Sequence, residues 1–373
     1  MKKKWLVLPA VVLLGLGAAL PFVPDLVRVW MAHRPQATIT VDAATRAQAI
    51  DTLVARLNQH YVFPEKAKEI EALLRQRQKL GAYDKMSDGE KFADRLDADI
   101  TSVAHDLHLG VMFSPGVVPP DPKRTPDLTG RAPPFQDANP IMRLLAPIAL
   151  SRENFGVEKA EHLRPGLGYL QLMSFAPPVL SEGRVAGAMD KLADTDALII
   201  DLRGSRGGHP GGVALMVSYF VDQRTHVNDV WSRDTGSTTE LWTEDALKGK
   251  RYGSKKPVLI LVDRETRSAS EAFAYTMQAL KRATIVGRRT WGGAHAARPY
   301  RLGDHLLASV PDARLISPIT HTNWEGVGVI PDVEAAPSDA LKVARELLQR
   351  CSAPLSQVQS TSKRRFCGAH GGT

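Results

Sequence analysis

The chain has 373 residues, which at about 150 per domain suggests two or three units. With 43% hydrophobic, 24% charged and 6% aromatic residues it reads as an ordinary folded protein, and this excludes a polytopic membrane protein, a disordered chain, collagen and a disulfide scaffold. The net charge of +8 is partly concentrated in residues 1–34, and elsewhere Lys and Arg are scattered among acids, so no nucleic-acid partner is implied.

Lys2, Lys3 and Lys4 precede residues 5–23, an uncharged apolar stretch just long enough to cross a bilayer. A basic start before an apolar run is the layout of a secretory signal, but the stretch lacks an A-x-A cleavage site and carries Pro9 and Pro21. Residues 1–34 are therefore read either as a cleaved signal peptide or as a single N-terminal membrane anchor. In both cases the body is exported, to the periplasm or another extracytoplasmic space.

Residues 42–113 read as a small helical domain. Ile50, Leu53, Val54 and Leu57 form one stripe, Pro64 opens a second helix, and Ser87 with Glu90 makes a capping-box pattern before Phe92, Leu96, Ile100 and Val103. Residues 114–154 are proline-rich and aperiodic, a linker or surface loop. Residues 155–350 then alternate strands (166–173, 197–203, 257–263, 284–287) with helices (around 185–192, 212–221, 270–280 and 338–349). Continuous apolar runs such as ALIIDLR suit strands buried on both faces. The expected fold is α/β with a largely parallel central sheet. Residues 351–373 form a tail, where Cys351 and Cys367 are open to either a small disulfide loop or two free thiols. Neither has partners at metal-ligand spacing, so no metal is implied.

Sites on such sheets lie at the carboxyl ends of the strands. After residues 197–201 comes the glycine-rich DLRGSRGGHPGG, whose backbone amides suit an oxyanion hole; the Lys-Ser or Lys-Thr of a phosphate loop is missing. After residues 257–263 comes RETRSASEAF, which sets Ser268 between a buried strand and a helix start. Ser268 is read either as a nucleophile or, with Glu271 three residues on, as a helix cap. The candidate bases are His108 in HDLHL, His295 in GGAHAARPY and neighbouring lysines. Asp106 either orients His108 or merely flanks it, and Glu325 in NWEGVGVIPD is a candidate third member.

Taken in order, DLR-x-S-x-GG, S-A-S-E, G-x-x-T-x-GG-x-H and NWEG-x-GV-x-PD resemble the tail-specific, or carboxyl-terminal processing, serine proteases. The resemblance spans roughly residues 45–335 and is nearest to the branch with interphotoreceptor retinoid-binding protein and the tricorn protease core. It implies a crotonase-like core, a serine endopeptidase acting on a peptide or protein substrate, and no cofactor. It also implies Ser268 as nucleophile and oxyanion donors from Ala269 and from Gly207 or Gly208. His108 is then the base with Glu325 behind it, and His295 stands in reserve. Gly293 stands where the processing proteases carry a lysine, and Ser205 where asparagine is usual. The span from Phe113 to Phe155 is too short for a PDZ insert. The missing lysine motivates an alternative, a non-hydrolytic binding protein for an apolar ligand or peptide on the same scaffold.

Overall fold

The computed structural model describes residues 39–121, 127–132, 147–148 and 150–352. The signal or anchor segment, much of the proline-rich stretch and Cys367, and with it the question of a Cys351–Cys367 bond, lie outside them. Among the described residues no helix is long and apolar enough to cross a membrane.

Three helices come first: α1 (Ala43–His60), α2 (Pro64–Lys79) and α3 (Gly89–Ala104). Asp42 caps α1 by accepting the Thr45 N–H at 2.7 Å, and α2 starts on Pro64, whose missing N–H costs nothing at a first turn. The cap of α3 is one residue later than expected from Ser87. Asp88 accepts the N–H groups of Glu90 and Lys91 at 3.0 and 3.1 Å, charge-assisted bonds that satisfy two of the free amides of the first turn. α3 ends on His105 in the left-handed conformation (φ 54°), which turns the chain through Asp106–Leu109 into β1 (Gly110–Phe113).

Ten further strands follow: β2 (Val157–Arg164), β3 (Leu167–Leu172), β4 (Ala197–Asp201), β5 (His226–Ser232), β6 (Ser237–Trp242), β7 (Val258–Val262), β8 (Thr284–Gly287), β9 (His295–Arg301), β10 (Leu306–Ile316) and β11 (Val333–Glu334). The helices between and after them are α4 (Pro178–Leu192), α5 (Pro210–Ser218), α6 (Ala269–Ala279) and α7 (Ala340–Ser352). One sheet runs β11-β8-β7-β4-β3-β2, parallel except for β2. Its two faces take alternate residues. Leu198 and Ile200 pack with α4, α5 and α6, whereas Ile199 packs with α7. Burial on both faces is why these strands read as unbroken apolar runs.

Taken together the sheets are mixed, because the protein carries more than the one largely parallel central sheet that was expected. A second sheet of β1, β5, β6, β9 and β10 is antiparallel throughout. The stripe on α1 packs against it: Ile50, Leu53 and Leu57 share a buried cluster with Tyr300, Leu306, Ala308 and Val310. The helical segment therefore reaches the ends of β4 and β7 through this sheet.

Candidate active site

Two loops leave neighbouring parallel strands at the same sheet edge and are tied together. Thr266 Oγ1 donates to Leu202 C=O at 2.8 Å, and Arg267 N–H to Ser205 C=O at 2.9 Å. Ser268 follows, half-buried, as the residue before α6, with φ 53° and ψ −121°. That backbone is strained for a serine and persists only where its surroundings fix it. Here the Ser268 N–H donates to Glu271 Oε2 at 2.8 Å while its C=O accepts from Ala272 N–H at 3.0 Å.

Glu271, fully buried, also accepts from Thr290 Oγ1 (2.5 Å), Gly292 N–H (2.6 Å) and Gly293 N–H (3.1 Å). Burial pushes its pKa up, and these four donors pull against that. The glutamate of the S-x-x-E pattern thus joins the start of α6 to the loop that precedes β9.

Gly207 and Gly208 let the first loop come close. A Cβ on Gly207 would stand 2.8 Å from Ser268 Cβ and 3.1 Å from Ala269 N, and one on Gly208 would stand 2.3 Å from Phe175 O. The Gly207 N–H donates to Ser270 Oγ at 3.1 Å, and Ser270 Oγ lies 2.7 Å from Ser205 Oγ. Ser270 and Ser205 are buried and hold the register between the two loops.

His108, His295 and Ser268 line one cavity of about 840 Å³. The His108 ring stands edge-on to Trp291 at 4.9 Å between centroids, with Nδ1 buried and without a partner among the described residues. Burial lowers its pKa to about 4, with the nearby Asp106 opposing and His295 adding to the fall. A Cβ on Gly293 would lie 2.6 Å from His108 Cε1, so the imidazole occupies the space a side chain at 293 would need.

The other candidates assemble around His295. Its Nδ1 is 2.8 Å from Asp106 Oδ2 and 3.5 Å from Glu325 Oε2, and it is only 3% exposed. Asp106 Oδ1 accepts the His108 backbone N–H at 3.0 Å, and Tyr61 OH donates to Oδ2 at 3.3 Å. Glu325 Oε2 accepts the Ala294 N–H at 2.5 Å while Oε1 is buried without a partner among the described residues. Burial raises the Glu325 pKa, and His295 counters it. Glu325 therefore meets His295 and does not reach His108 Nδ1. Asp106, His295 and Glu325 also offer ligand atoms within 4.8 Å of one another. Asp106 Oδ1, Asp106 Oδ2 and Glu325 Oε2 each already accept from an N–H or O–H donor, so the cluster is joined to its surroundings by hydrogen bonds.

Two sequence profiles match this chain. The N-terminal domain of peptidase S41 in eukaryotic IRBP covers residues 36–145, and peptidase family S41 covers residues 166–335. The chain belongs to peptidase family S41.

Among curated S41 relatives, it is 28% identical over 169 residues to carboxyl-terminal-processing peptidase 2, chloroplastic, of Arabidopsis thaliana, covering 45% of this chain and 32% of that protein. It is 30% identical over 173 residues to the carboxyl-terminal-processing protease of Synechocystis sp., covering 45% and 38%. The chain thus spans well under half the length of these relatives. Its fold is like that of mature CPAF complexed with lactacystin (TM-score 0.53, 13% identity, 88% of this chain and 99% of that one). It is also like the tricorn protease (TM-score 0.50, 14% identity, 80% and 35%). These names give the non-hydrolytic carrier no support.

Sequence reasoning singled out Ser268, His108, His295 and Glu325 but missed the tie between Asp106 and His295. They lie 189 residues apart, and no local pattern links them. Ser270 was visible only as part of S-A-S-E. Its neighbour across the loops, Ser205, was noted as a departure, and the two hydroxyls in fact pair.

Proposed function

We propose that this chain is an exported serine peptidase that hydrolyses peptide bonds through an acyl-enzyme at Ser268, on a crotonase-like core. The observation that carries the reading is the placement of His108. Its imidazole fills the space beside Gly293, where the processing proteases have their lysine, and lines the same cavity as Ser268.

Ser268 Oγ attacks the substrate carbonyl as its proton passes to His108, which a low pKa keeps neutral and able to accept it. The developing oxyanion is met by the Ala269 N–H at the start of α6, where free amides and the helix dipole favour negative charge. The second donor is Gly208, since the Gly207 N–H is given to Ser270. Imidazolium then protonates the leaving amine as the C–N bond breaks. Water, deprotonated by the same imidazole, releases the acid and restores Ser268.

In this reading Glu325 holds the Ala294–His295 segment in place, and Asp106 holds the His108 backbone and His295 together. A second reading makes His295 the base, favoured by its carboxylate partner at 2.8 Å, the arrangement that orients an imidazole in serine hydrolases. The test is peptide hydrolysis by purified protein. Ser268→Ala is expected to abolish it with the circular dichroism spectrum unchanged, and a folded variant with full activity would refute the proposal.

A further inference from the structure

A second cavity, of about 670 Å³, lies against the HDLHL segment. His108 and Ser309 line both this cavity and the one beside Ser268, whereas Ser268 lines only the larger. Leu107, Leu109 and Met112 are its large apolar lining residues, and Leu107 and Met112 are 43% and 47% exposed. Large apolar side chains left singly in water are common, but two in one cavity beside a candidate general base mark a surface that something else covers. Two carboxylates also line it. Asp106 is buried with both oxygens accepting, from the His108 N–H and the Tyr61 hydroxyl, and Asp97 Oδ1 accepts the Val111 N–H at 2.9 Å.

We infer that this second cavity receives the substrate residue that carries the leaving amine, and that Leu107 and Met112 make it select an apolar one. The inference rests on the proposed reaction. There the acyl part of the substrate stays on Ser268, and His108 hands its proton to the departing amine. The amine must therefore come within hydrogen-bond reach of the imidazole, which sets its own side chain down beside His108. The space that borders His108 but not Ser268 is the second cavity. A leucine-sized side chain there covers Leu107 and Met112 and gains about tenfold over serine. An acidic side chain meets two carboxylates instead, and a basic one finds the Asp106 oxygens already engaged.

The test is the residue that follows each cut when the purified protein digests a peptide library made from a denatured bacterial extract, read by mass spectrometry. Leucine, isoleucine, valine, methionine and phenylalanine are expected there about tenfold more often, relative to their abundance, than serine, aspartate and glutamate. Leu107→Ser combined with Met112→Ser is expected to bring that ratio below about threefold. A substitution that merely displaced His108 would slow all cuts alike and leave the ratio where it was. No enrichment, enrichment of lysine and arginine instead, or an apolar preference that survives the double substitution would overturn the inference. Should the double variant fail to fold, Met112→Ser alone decides: the ratio is expected to fall about threefold, and an unchanged ratio would count against the inference. A wild type that cuts nothing overturns the peptidase reading and this inference with it, whereas cuts without the preference overturn this inference alone.

Discussion

Gly293 shows how one missing side chain changes what a site can use. With no Cβ there, His108 packs against the backbone; an alanine would press within 2.4 Å of Trp291 Cζ3 and 2.6 Å of His108 Cε1. Gly293→Ala is expected to cut kcat/KM by about 100-fold while the fold survives, the scale of a displaced general base. A change under threefold in a peptide assay would show that His108 is not the base. The same burial sets a pH dependence. His108 in the folded protein takes a proton only near pH 4, whereas an unfolded histidine does so near 6.5. Between those values the unfolded state binds the extra proton. The contribution is therefore complete above about pH 6.5, is lost as pH falls toward about 4, and levels off below. Denaturant melts at pH 7 and pH 5 are expected to show a larger drop for wild type than for His108→Phe; equal drops would contradict it. The low pKa itself was not legible in the sequence, because it comes from burial that only the packed cavity supplies.

The elements that build the site were largely legible where burial is two-sided. The runs at 197–203 and 257–263 fold as β4 and β7 because both faces are covered, one by α4–α6 and the other by α7. β5 and β6 were not anticipated. HVNDVWS and STTELW carry polar residues on half-exposed faces, so their apolar signal is weak. The S-x-x-E pattern raised a choice between cap and catalysis, and the helix start makes both compatible. Glu271 closes onto the Ser268 N–H and onto three donors of the next loop, which holds the strained residue in place. Glu271→Gln turns an NH₂ toward those donors and is expected to lower stability by about 2–3 kcal/mol in urea denaturation. A loss below about 0.5 kcal/mol would mean that the carboxylate does not organise this junction.

At the scale of the whole molecule, the helical segment and the strands share a core. Leu53 and Leu57 are fully buried against β9 and β10 residues, and His60 meets Asp234 at 2.5 Å, with Asp234 also held by Arg298 beside the cavity. Leu57→Ala is expected to cost about 2–5 kcal/mol and to shift a single cooperative transition. Separate melting of helix and sheet signals would contradict that coupling. The stripe at Ile50–Leu57 was legible in the sequence, but its partner was not. The sheet that receives it is assembled from β1, β5, β6, β9 and β10, which are scattered over 200 residues, and no local pattern pairs them. This packing brings the HDLHL segment to the edge where β4 and β7 end.

The most direct measurement is fluorophosphonate labelling of the purified wild-type protein, read by intact mass and peptide mapping. We expect one covalent adduct, on Ser268, forming far more slowly in His108→Ala and at a near-normal rate in His295→Ala. A folded wild type that stays unlabelled, or an adduct on another residue, would contradict the assignment of Ser268 as nucleophile.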